Sequence, residues 1–368
     1  MPSPKIIISG GGTGGHIFPA IAIAEAIKRA EPEAEFLFVG AKGRMEMERV
    51  PRAGYDIKGL WISGIQRSLT LKNLSFPLKL ISSLWNARKI VKSFKPDLAV
   101  GVGGYASGPL LRVATSMKIP SVIQEQNSYP GITNKLLAKS VNKICVAYEG
   151  MERWFPKEKI VLTGNPVREA VVDLEGKRRD AAEFFGLNPE VPTLVVVGGS
   201  LGARTINQSV QSGLSAIREN GYQLIWQTGK IFADQAKAAV EEMGTESLVT
   251  LPFIDRMDYA YAMADVLISR AGAMSVSEIC LVAKPAILVP SPNVAEDHQT
   301  KNAKALADNN AAVLVKDSEA HDQLITEAIS LLGAKERCVE LSKNASKMAF
   351  SSASDEIAKE VLNLFRKS

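Results

Sequence analysis

The chain has 368 residues, of which 46% are hydrophobic, 23% charged and 6% aromatic. This composition excludes disordered and fibrous proteins and is typical of globular α/β proteins. The length exceeds what one ordinary core requires and favours two domains. No segment approaches the roughly 18 apolar residues that a membrane-spanning helix needs, and the first apolar stretch is too short for a signal peptide, so we expect a cytoplasmic protein.

The formal net charge of +5 is unevenly distributed. Residues 1–164 contain 23 Lys and Arg against 12 Asp and Glu, whereas the rest of the chain contains 21 against 27. The positive half is therefore expected to meet something anionic: nucleic acid, lipid head groups or a phosphorylated substrate. Cys145, Cys280 and Cys338 have no metal-ligand spacing, and we expect them to be reduced.

Short β-branched runs alternate with amphipathic stretches of helical length, which predicts parallel sheets built from strand–helix–strand units. Helices are predicted between the strands, for example over 19–30 and 300–308. The predicted strands are 5–9, 35–40, 98–102, 119–124 and 143–148 in the first half and 193–198, 222–227, 248–252, 266–269, 285–290 and 311–315 in the second.

Both halves open with a buried strand that runs into a glycine-rich turn and then a helix, at 5–15 and at 193–203. We therefore predict an α/β fold with two Rossmann-like domains, 1–164 and 165–351. Ligands bind at the carboxyl ends of the strands in such sheets, so the two glycine turns are expected to face a shared cleft.

The first glycine turn, GGGTGGH at 10–16, contains the spacing G-x-G-x-x-G between a strand and a helix. Backbone N–H groups in such a turn can approach a diphosphate, although a purely structural turn is the alternative. A dinucleotide-binding domain also needs an acidic residue at the end of the second strand, where this chain has VGAK at 39–42. NAD binding is therefore disfavoured.

His16 directly follows this turn at the start of a helix. A helix N-terminus disfavours the protonated imidazole and keeps it available as a general base near neutral pH. The sequence therefore predicts a catalytic or acceptor-orienting role for His16, the alternative being a structural histidine.

Other polar and glycine-rich segments follow predicted strands. Glu125 and Asn127 are expected to hydrogen-bond sugar hydroxyls, unless the segment 124–127 only caps the next helix. In the second half, the turn 198–203 and the helix start at 270–278 are typical of diphosphate sites, and Glu278 is placed to accept two ribose hydroxyls. No Asp-x-Asp and no histidine–carboxylate set with metal spacing occurs, so we expect no metal and no cofactor.

No acidic residue occurs between Asp56 and Asp97, a segment with eight basic residues and many apolar ones. Such a mixture favours binding to an anionic membrane surface; the alternative is that the apolar residues belong to the core. No nucleic-acid motif is present, so nucleic acid is not expected as a partner. The basic residues are Lys58, Arg67, Lys72, Lys79, Arg88, Lys89, Lys92 and Lys95, and the apolar ones are Leu69, Leu71, Leu74, Phe76, Leu78, Leu80, Ile81, Leu84 and Trp85.

An ordered set of motifs resembles the MurG family of peptidoglycan N-acetylglucosaminyltransferases. The set consists of GGTGGH at 11–16, GGYASGP at 103–109, EQN at 125–127, GNPVR at 164–168, GGS at 198–200 and SVSE at 275–278. The resemblance implies a GT-B fold and metal-independent, inverting transfer of N-acetylglucosamine from its UDP donor to the 4-hydroxyl of undecaprenyl-diphospho-N-acetylmuramoyl-pentapeptide. It also implies a peripheral protein at the cytoplasmic face of the membrane, with the acceptor lipid on the N-terminal domain and the last helix, near 352–368, packed back on that domain.

Matched position by position, the resemblance implies that His16 is the base for the acceptor hydroxyl, and we group Glu125 with it as catalytic. Leu201 stands where the family commonly has glutamine, and Gln124 where it commonly has histidine. The implied donor-binding residues are Thr13, Gly14, Gly15, Asn127, Arg168, Ser200, Ile254, Met274, Ser275, Glu278 and Gln299.

Three other functions remain open from the residues. A UDP-sugar epimerase of the same fold would act on the donor alone. A nucleotide-binding or membrane-recruited scaffold would bind a UDP-sugar without turnover. An NAD oxidoreductase is weaker, because Ala41 and Lys42 stand where it needs an acid.

Overall fold

The computed structural model describes residues 3–63, 76–199, 202–294 and 297–366. The chain divides into two compact units, one of residues 1–168 together with 352–368 and the other of residues 169–351. The chain thus first passes from one unit to the other after Arg168, whereas the sequence predicted this boundary after residue 164. The predictions for Arg67, Lys72, Leu69, Leu71, Leu74, Ser200 and Leu201 lie outside the described residues.

The described residues of the first unit form a seven-stranded parallel sheet in the order β3-β2-β1-β4-β5-β6-β7. Its strands are β1 Lys5–Ser9, β2 Glu35–Ala41, β3 Ile57–Leu60, β4 Leu98–Gly101, β5 Ser121–Glu125, β6 Lys143–Val146 and β7 Ile160–Leu162. Its helices are α1 Gly14–Ala30, α2 Glu46–Arg52, α3 Phe76–Phe94, α4 Ser107–Ser116, α5 Ile132–Leu137 and the C-terminal helix Ala353–Arg366.

Burial on both faces explains why β1 is a continuous apolar run. Ile7 packs into the core on one side of the sheet, and its neighbours Ile6 and Ile8 pack into the core on the other side, because successive strand residues point to opposite faces. The strands β3 and β7 were not predicted. Both lie at the edges of the sheet and are short and only partly buried. The apolar pattern of β3 is interrupted by Lys58 and Gly59, and β7 is only three residues long.

The helix α1 begins at Gly14, earlier than the predicted start at Pro19. The N–H groups of His16 and Ile17 both reach the carbonyl of Thr13, which closes the first turn. Pro19 therefore lies inside the helix, where it removes one backbone hydrogen bond. His16 consequently belongs to the first turn of α1, beside the glycine turn.

The C-terminal helix packs on α1 within the first unit. Its buried residues follow a helical spacing and complete the core on that side of the sheet; they are Ala353, Ile357, Ala358, Val361 and Leu362. Ion pairs Arg29–Asp355 and Arg366–Glu31, at 2.7 and 3.0 Å, flank the contact. The hydroxyl of Ser354 also donates to the carbonyl of Val167 at 3.1 Å, which fixes the start of this helix.

The second unit contains a six-stranded parallel sheet in the order β10-β9-β8-β11-β12-β13 among its described residues. The strands are β8 Thr193–Val197, β9 Gln223–Gln227, β10 Leu248–Leu251, β11 Val266–Ser269, β12 Ala286–Leu288 and β13 Val313–Leu314. The helices are α6 Glu169–Val172, α7 Arg178–Phe185, α8 Arg204–Ser212, α9 Leu214–Glu219, α10 Ala233–Met243, α11 Met257–Met263, α12 Ala273–Val282, α13 His298–Ala307, α14 Ala320–Gly333 and α15 Lys335–Lys347.

The predicted α/β class with two Rossmann-like domains is confirmed. In each sheet the strand order reverses beside the first strand, between β1 and β4 and between β8 and β11. A crevice at such a reversal, at the carboxyl ends of the strands, is the ligand site of open α/β sheets. The glycine turns after β1 and β4 both lie at this point of the first sheet.

Candidate active site

The turn between β1 and α1 is held by a buried carboxylate that the sequence did not single out. Glu46, on α2, accepts hydrogen bonds from the backbone N–H of Gly12 at 3.0 Å and from that of Ala41 at 2.9 Å. Its exposed fraction is 0%. Because Gly12 N–H already has this partner, that group is not offered to a diphosphate. The interpretation of the first turn as a phosphate cradle therefore fails at Gly12.

A second glycine turn packs on the first one. Gly103 and Gly104 adopt left-handed backbone angles, with φ of +89° and +86°. A Cβ atom on Gly104 would lie 2.2 Å from the carbonyl oxygen of Gly11, and a Cβ on Gly103 would lie 2.9 Å from Nε2 of His16. Only glycine at these positions lets the two turns and the imidazole come together.

His16 is partly buried between the two turns. Its Nδ1 lies 3.4 Å from the Thr13 hydroxyl oxygen. Burial lowers the pKa of His16, while the Gly11 backbone and the Glu46 carboxylate raise it in part. The net direction is downward, so the imidazole is neutral at neutral pH and able to accept a proton.

Glu125, at the end of β5, is 2% exposed and organises the loop that follows it. Its carboxylate accepts the backbone N–H and the side-chain amide of Asn127, the N–H of Gly131 and the side-chain amide of Asn134, all within 2.9–3.2 Å. Burial raises the pKa of Glu125, and these hydrogen bonds oppose the rise. With four donors on its two oxygens, Glu125 is built to shape the loop.

Three buried amides lie behind this loop. Gln124 donates to Asn165 at 3.1 Å, Asn165 donates to the Gln126 carbonyl at 3.2 Å, and Gln126 donates to the Val102 carbonyl at 2.9 Å and to the side chain of Gln124. Gln124, which replaces the family's common histidine, is therefore a network member that connects the EQN and GNP motifs.

The remaining residues predicted for the donor in this unit lie near α1. Thr13 is the exposed N-cap residue of α1, and Gly14 and Gly15 form its first turn. Arg168 stacks its guanidinium on the ring of Phe18, 4.6 Å from the ring centroid. The structure thus brings Thr13, Gly14, Gly15 and His16 together at the N-terminus of α1.

In the second unit, the predicted ribose-binding acid has a buried partner. The hydroxyl of Tyr261, on α11, donates to Oε2 of Glu278, on α12, at 2.6 Å. Burial, together with the negative charge of Glu278, raises the pKa of Tyr261 well above its usual value. The phenol is therefore a permanent donor that orients this carboxylate.

Ile254 is positioned by a second buried residue, Gln227, at the end of β9. The side-chain oxygen of Gln227 accepts the backbone N–H of Ile254 at 3.1 Å, and its amide donates to the carbonyl of Gly199 at 2.9 Å. Gln227 thus connects the glycine turn after β8 to Ile254. Ser200, the next residue of that turn, lies outside the described residues.

Met274 and Ser275 lie in the first turn of α12, whose N-cap residue is Gly272. The side-chain oxygen of Gln299, at the start of α13, accepts the backbone N–H of Ser291 at 2.8 Å. Arg270, just before α12, donates to the carbonyl of Val289 at 3.1 Å and pairs with Asp317. These contacts hold the ends of β11 and β12 together.

The sequence did not single out Glu46, Gln227 or Tyr261, and it gave Arg270 only as the first residue of the predicted helix start at 270–278. Only Glu46 had a signal: a carboxylate shortly after the second strand of a glycine-turn domain. Among the described residues, no group of three or more His, Cys, Asp or Glu side chains is arranged to hold a metal ion. Within the same residues, no helix is both long and apolar enough to cross a membrane.

The chain matches two family models, the glycosyltransferase family 28 N-terminal domain over residues 6–146 and the glycosyltransferase family 28 C-terminal domain over residues 193–360. A protein of Phocaeicola vulgatus is 58% identical over 98% of this chain and 96% of its own length. A protein of Cytophaga hutchinsonii is 56% identical over 99% of this chain and 98% of its own. Both are named UDP-N-acetylglucosamine–N-acetylmuramyl-(pentapeptide) pyrophosphoryl-undecaprenol N-acetylglucosamine transferase.

Among solved structures, Acinetobacter baumannii MurG superposes with a TM-score of 0.73 and 26% identity, over 98% of this chain and 100% of that one. The UDP-GlcNAc 2-epimerase of Neisseria meningitidis, solved with UDP-GlcNAc, gives a TM-score of 0.68 at 14% identity, over 99% and 100% of the two chains. The second likeness concerns the fold alone.

Proposed function

Because the chain belongs to glycosyltransferase family 28, we propose that it transfers N-acetylglucosamine from UDP-N-acetylglucosamine to undecaprenyl-diphospho-N-acetylmuramoyl-pentapeptide, lipid I, and so makes lipid II for peptidoglycan. The observation that carries this proposal is the near full-length identity of 56–58% to two transferases named for that reaction. The predicted GT-B fold and the resemblance to the MurG family are confirmed by the same comparisons.

In the proposed reaction, His16 removes the proton from the acceptor's 4-hydroxyl. The hydroxyl oxygen then bonds to the anomeric carbon as the bond from that carbon to the UDP oxygen breaks, which inverts the centre. A neutral histidine at a glycine turn suits this step, since the base must be unprotonated to act. Glu125 serves this site by shaping its loop.

The second unit binds the UDP-sugar in this proposal. Glu278, held by Tyr261, accepts the ribose hydroxyls, and Ile254 lies beside the uracil. The N-terminus of α12, with Met274 and Ser275, stabilises the negative charge on the departing diphosphate, because helix N–H groups are a ready anion site. Gln299, whose side-chain oxygen accepts the backbone N–H of Ser291, binds the sugar in this proposal.

We further propose that α3 binds an anionic membrane surface and makes the enzyme peripheral at the cytoplasmic face. The core-facing side of α3 carries Ser83, Ala87 and Val91. Its opposite side exposes three large apolar residues, Leu78, Ile81 and Trp85, each more than 60% exposed. The alternative that all the apolar residues of this helix are core fails for these three.

Basic groups lie beside the exposed apolar residues of α3. The ammonium of Lys89 lies 4.1 Å from the ring centroid of Trp85, and that of Lys79 lies 5.8 Å from the ring of Trp61, which is also exposed. Apolar residues that enter the lipid beside cations that meet its head groups are typical of a surface-bound helix. This arrangement agrees with the positive charge of residues 1–164.

Replacing Ile81 with glutamate is expected to weaken binding to vesicles that contain phosphatidylglycerol by about tenfold or more. The change removes an apolar contact worth roughly 1.5–3 kcal/mol and adds repulsion from the lipid charge. Val339→Glu is the matched control, since Val339 is equally exposed, at 67% against 65%, on α15 of the other unit. Equal loss of vesicle binding, measured by sedimentation, in both variants would contradict the membrane role of α3.

The reaction itself is tested by UDP release from UDP-N-acetylglucosamine with and without lipid I, each in the presence and absence of a chelator. Release that requires lipid I and ignores the chelator is expected. Isomerisation or UDP release without lipid I would instead identify an epimerase or a hydrolase. Binding without turnover under every condition would identify a scaffold and make His16 structural.

A further inference from the structure

The carboxylate of Glu46 is buried at the first glycine turn, and the proposed mechanism does not use it. Glycines on both sides give it room: a Cβ atom on Gly11 would lie 2.2 Å from its Oε1, and a Cβ on Gly40 would lie 2.5 Å from its Cγ. The backbone N–H groups of Gly12 and Ala41 complete its surroundings. The carboxylate thus joins the end of β2 to the turn that precedes α1.

The turn that carries His16 is held by this carboxylate. The N–H of Gly12, which donates to Glu46 at 3.0 Å, and the carbonyl of Gly11 belong to the same peptide unit. The next residue, Thr13, accepts the backbone N–H of His16 through its carbonyl at 3.1 Å, and its hydroxyl oxygen lies 3.4 Å from Nδ1 of the imidazole. Glu46 therefore fixes the peptide group from which the turn to the imidazole begins. The bond that one ring nitrogen makes also sets the tautomer of a histidine.

We propose that Glu46 is a positioning residue for His16: it orients the Gly11–Gly12 peptide, and through it the imidazole, and its charge stabilises the imidazolium that forms during proton transfer. The buried aspartate of a Ser-His-Asp triad performs this task by direct contact. Here a backbone peptide stands between the two side chains. This inference rests on the proposed function, in which His16 is the base.

The other groups near His16 show which negative charge raises the pKa of its imidazole. Tyr105, in the second glycine turn, lies near Gly12, since a Cβ there would be 3.9 Å from its ring. Arg168 stacks on Phe18 further along α1. Neither residue carries a carboxylate, and the α1 N-terminus itself disfavours the imidazolium. Glu46 is the carboxylate that raises the pKa of His16 against burial.

Two variants and a control distinguish the charge of the Glu46 side chain from its length. Glu46→Gln keeps the length but removes the charge, and Glu46→Asp keeps the charge but shortens the side chain by one methylene. Glu48→Gln is the control, because Glu48 lies on the same helix with its side chain 65% exposed and paired with Arg52. The pH dependence of kcat/KM for lipid I is measured for each variant and for the unaltered enzyme.

Glu46→Gln is expected to lower kcat/KM roughly 10- to 100-fold, as happens when the outer partners of metal-bound histidines are removed. It is also expected to move the acidic limb of the profile to lower pH, because loss of the negative charge lowers the pKa of His16 further. Glu46→Asp is expected to lower kcat/KM while the acidic limb stays in place. Glu48→Gln is expected to change neither kcat/KM nor the acidic limb. An acidic limb that stays in place in Glu46→Gln would overturn the proposal.

A second measurement does not depend on turnover. The chain has three histidines, so their ring C–H signals can be titrated by NMR, and His16→Ala assigns the one of interest. A lower His16 pKa in folded Glu46→Gln supports the coupling even if His16→Ala proves active, which would refute only the proposed base. An unchanged His16 pKa in folded Glu46→Gln refutes the coupling whatever the activity shows.

Discussion

Replacing His16 with alanine is expected to lower kcat for transfer to lipid I by about 100- to 10,000-fold, the usual contribution of a general base. The side chain lies between two glycine turns at the start of α1, with its ring near Gly103 and the Thr13 hydroxyl. Because the residue is assigned to the acceptor, affinity for UDP-N-acetylglucosamine should change little. Steady-state kinetics and calorimetric titration of the donor measure the two quantities.

His321→Ala is the matched control for this prediction, since His321 is exposed on α14 and its loss should leave kcat unchanged. The pH profile adds a second check. Burial lowers the pKa of His16 below its ordinary value near 6.5, so the neutral, active form persists into mildly acidic solution. Activity should therefore decline only below that ordinary value. Full turnover by a folded His16→Ala enzyme would show that the base is another group.

Replacing Glu278 with glutamine is expected to lower kcat/KM for UDP-N-acetylglucosamine by about 10- to 100-fold. Hydrogen bonds to a charged group contribute roughly 1.5–3 kcal/mol, and the amide loses part of that contribution. The loss should disappear when the donor lacks both the 2′- and 3′-hydroxyls of the ribose, because the deleted interactions are then absent from both enzymes. The ratio of kcat/KM for the two donors is the diagnostic measurement.

Tyr261→Phe removes only the hydroxyl that holds Glu278 at 2.6 Å, so it should reduce the same ratio by a smaller factor. Glu242→Gln, an exposed carboxylate on α10 of the same unit, serves as the control and should leave the ratio intact. If Glu278→Gln lowers activity equally with both donors, Glu278 does not bind the ribose. If Glu278→Gln changes the ratio but Tyr261→Phe does not, the hydroxyl of Tyr261 contributes to folding and not to ribose binding.

The strands with the longest apolar runs were the easiest to predict. Residues 6–8 and 194–196 are buried on both faces of their sheets, which requires an uninterrupted apolar run. The edge strands Ile57–Leu60 and Ile160–Leu162 escaped prediction because they are only four and three residues long and are partly exposed. The apolar pattern of α1 was recognised only from Pro19 onward, although the glycine motif already placed His16 at a helix start, because Gly14 and Gly15 have no side chains to contribute to that pattern.

The two-domain α/β architecture, the positions of the glycine turns and the family could all be predicted from the residues, because they depend on local periodicity and on residue types at fixed spacing. His16 and Glu278 could be singled out as candidate site residues for the same reason. Only the tertiary structure placed Glu46 under the Gly11–Gly12 peptide, Tyr261 on Glu278 and four donors on Glu125. Such contacts join elements that are far apart in the chain. Their hydrogen bonds are strengthened because water is excluded around the polar groups, and no local sequence pattern records this.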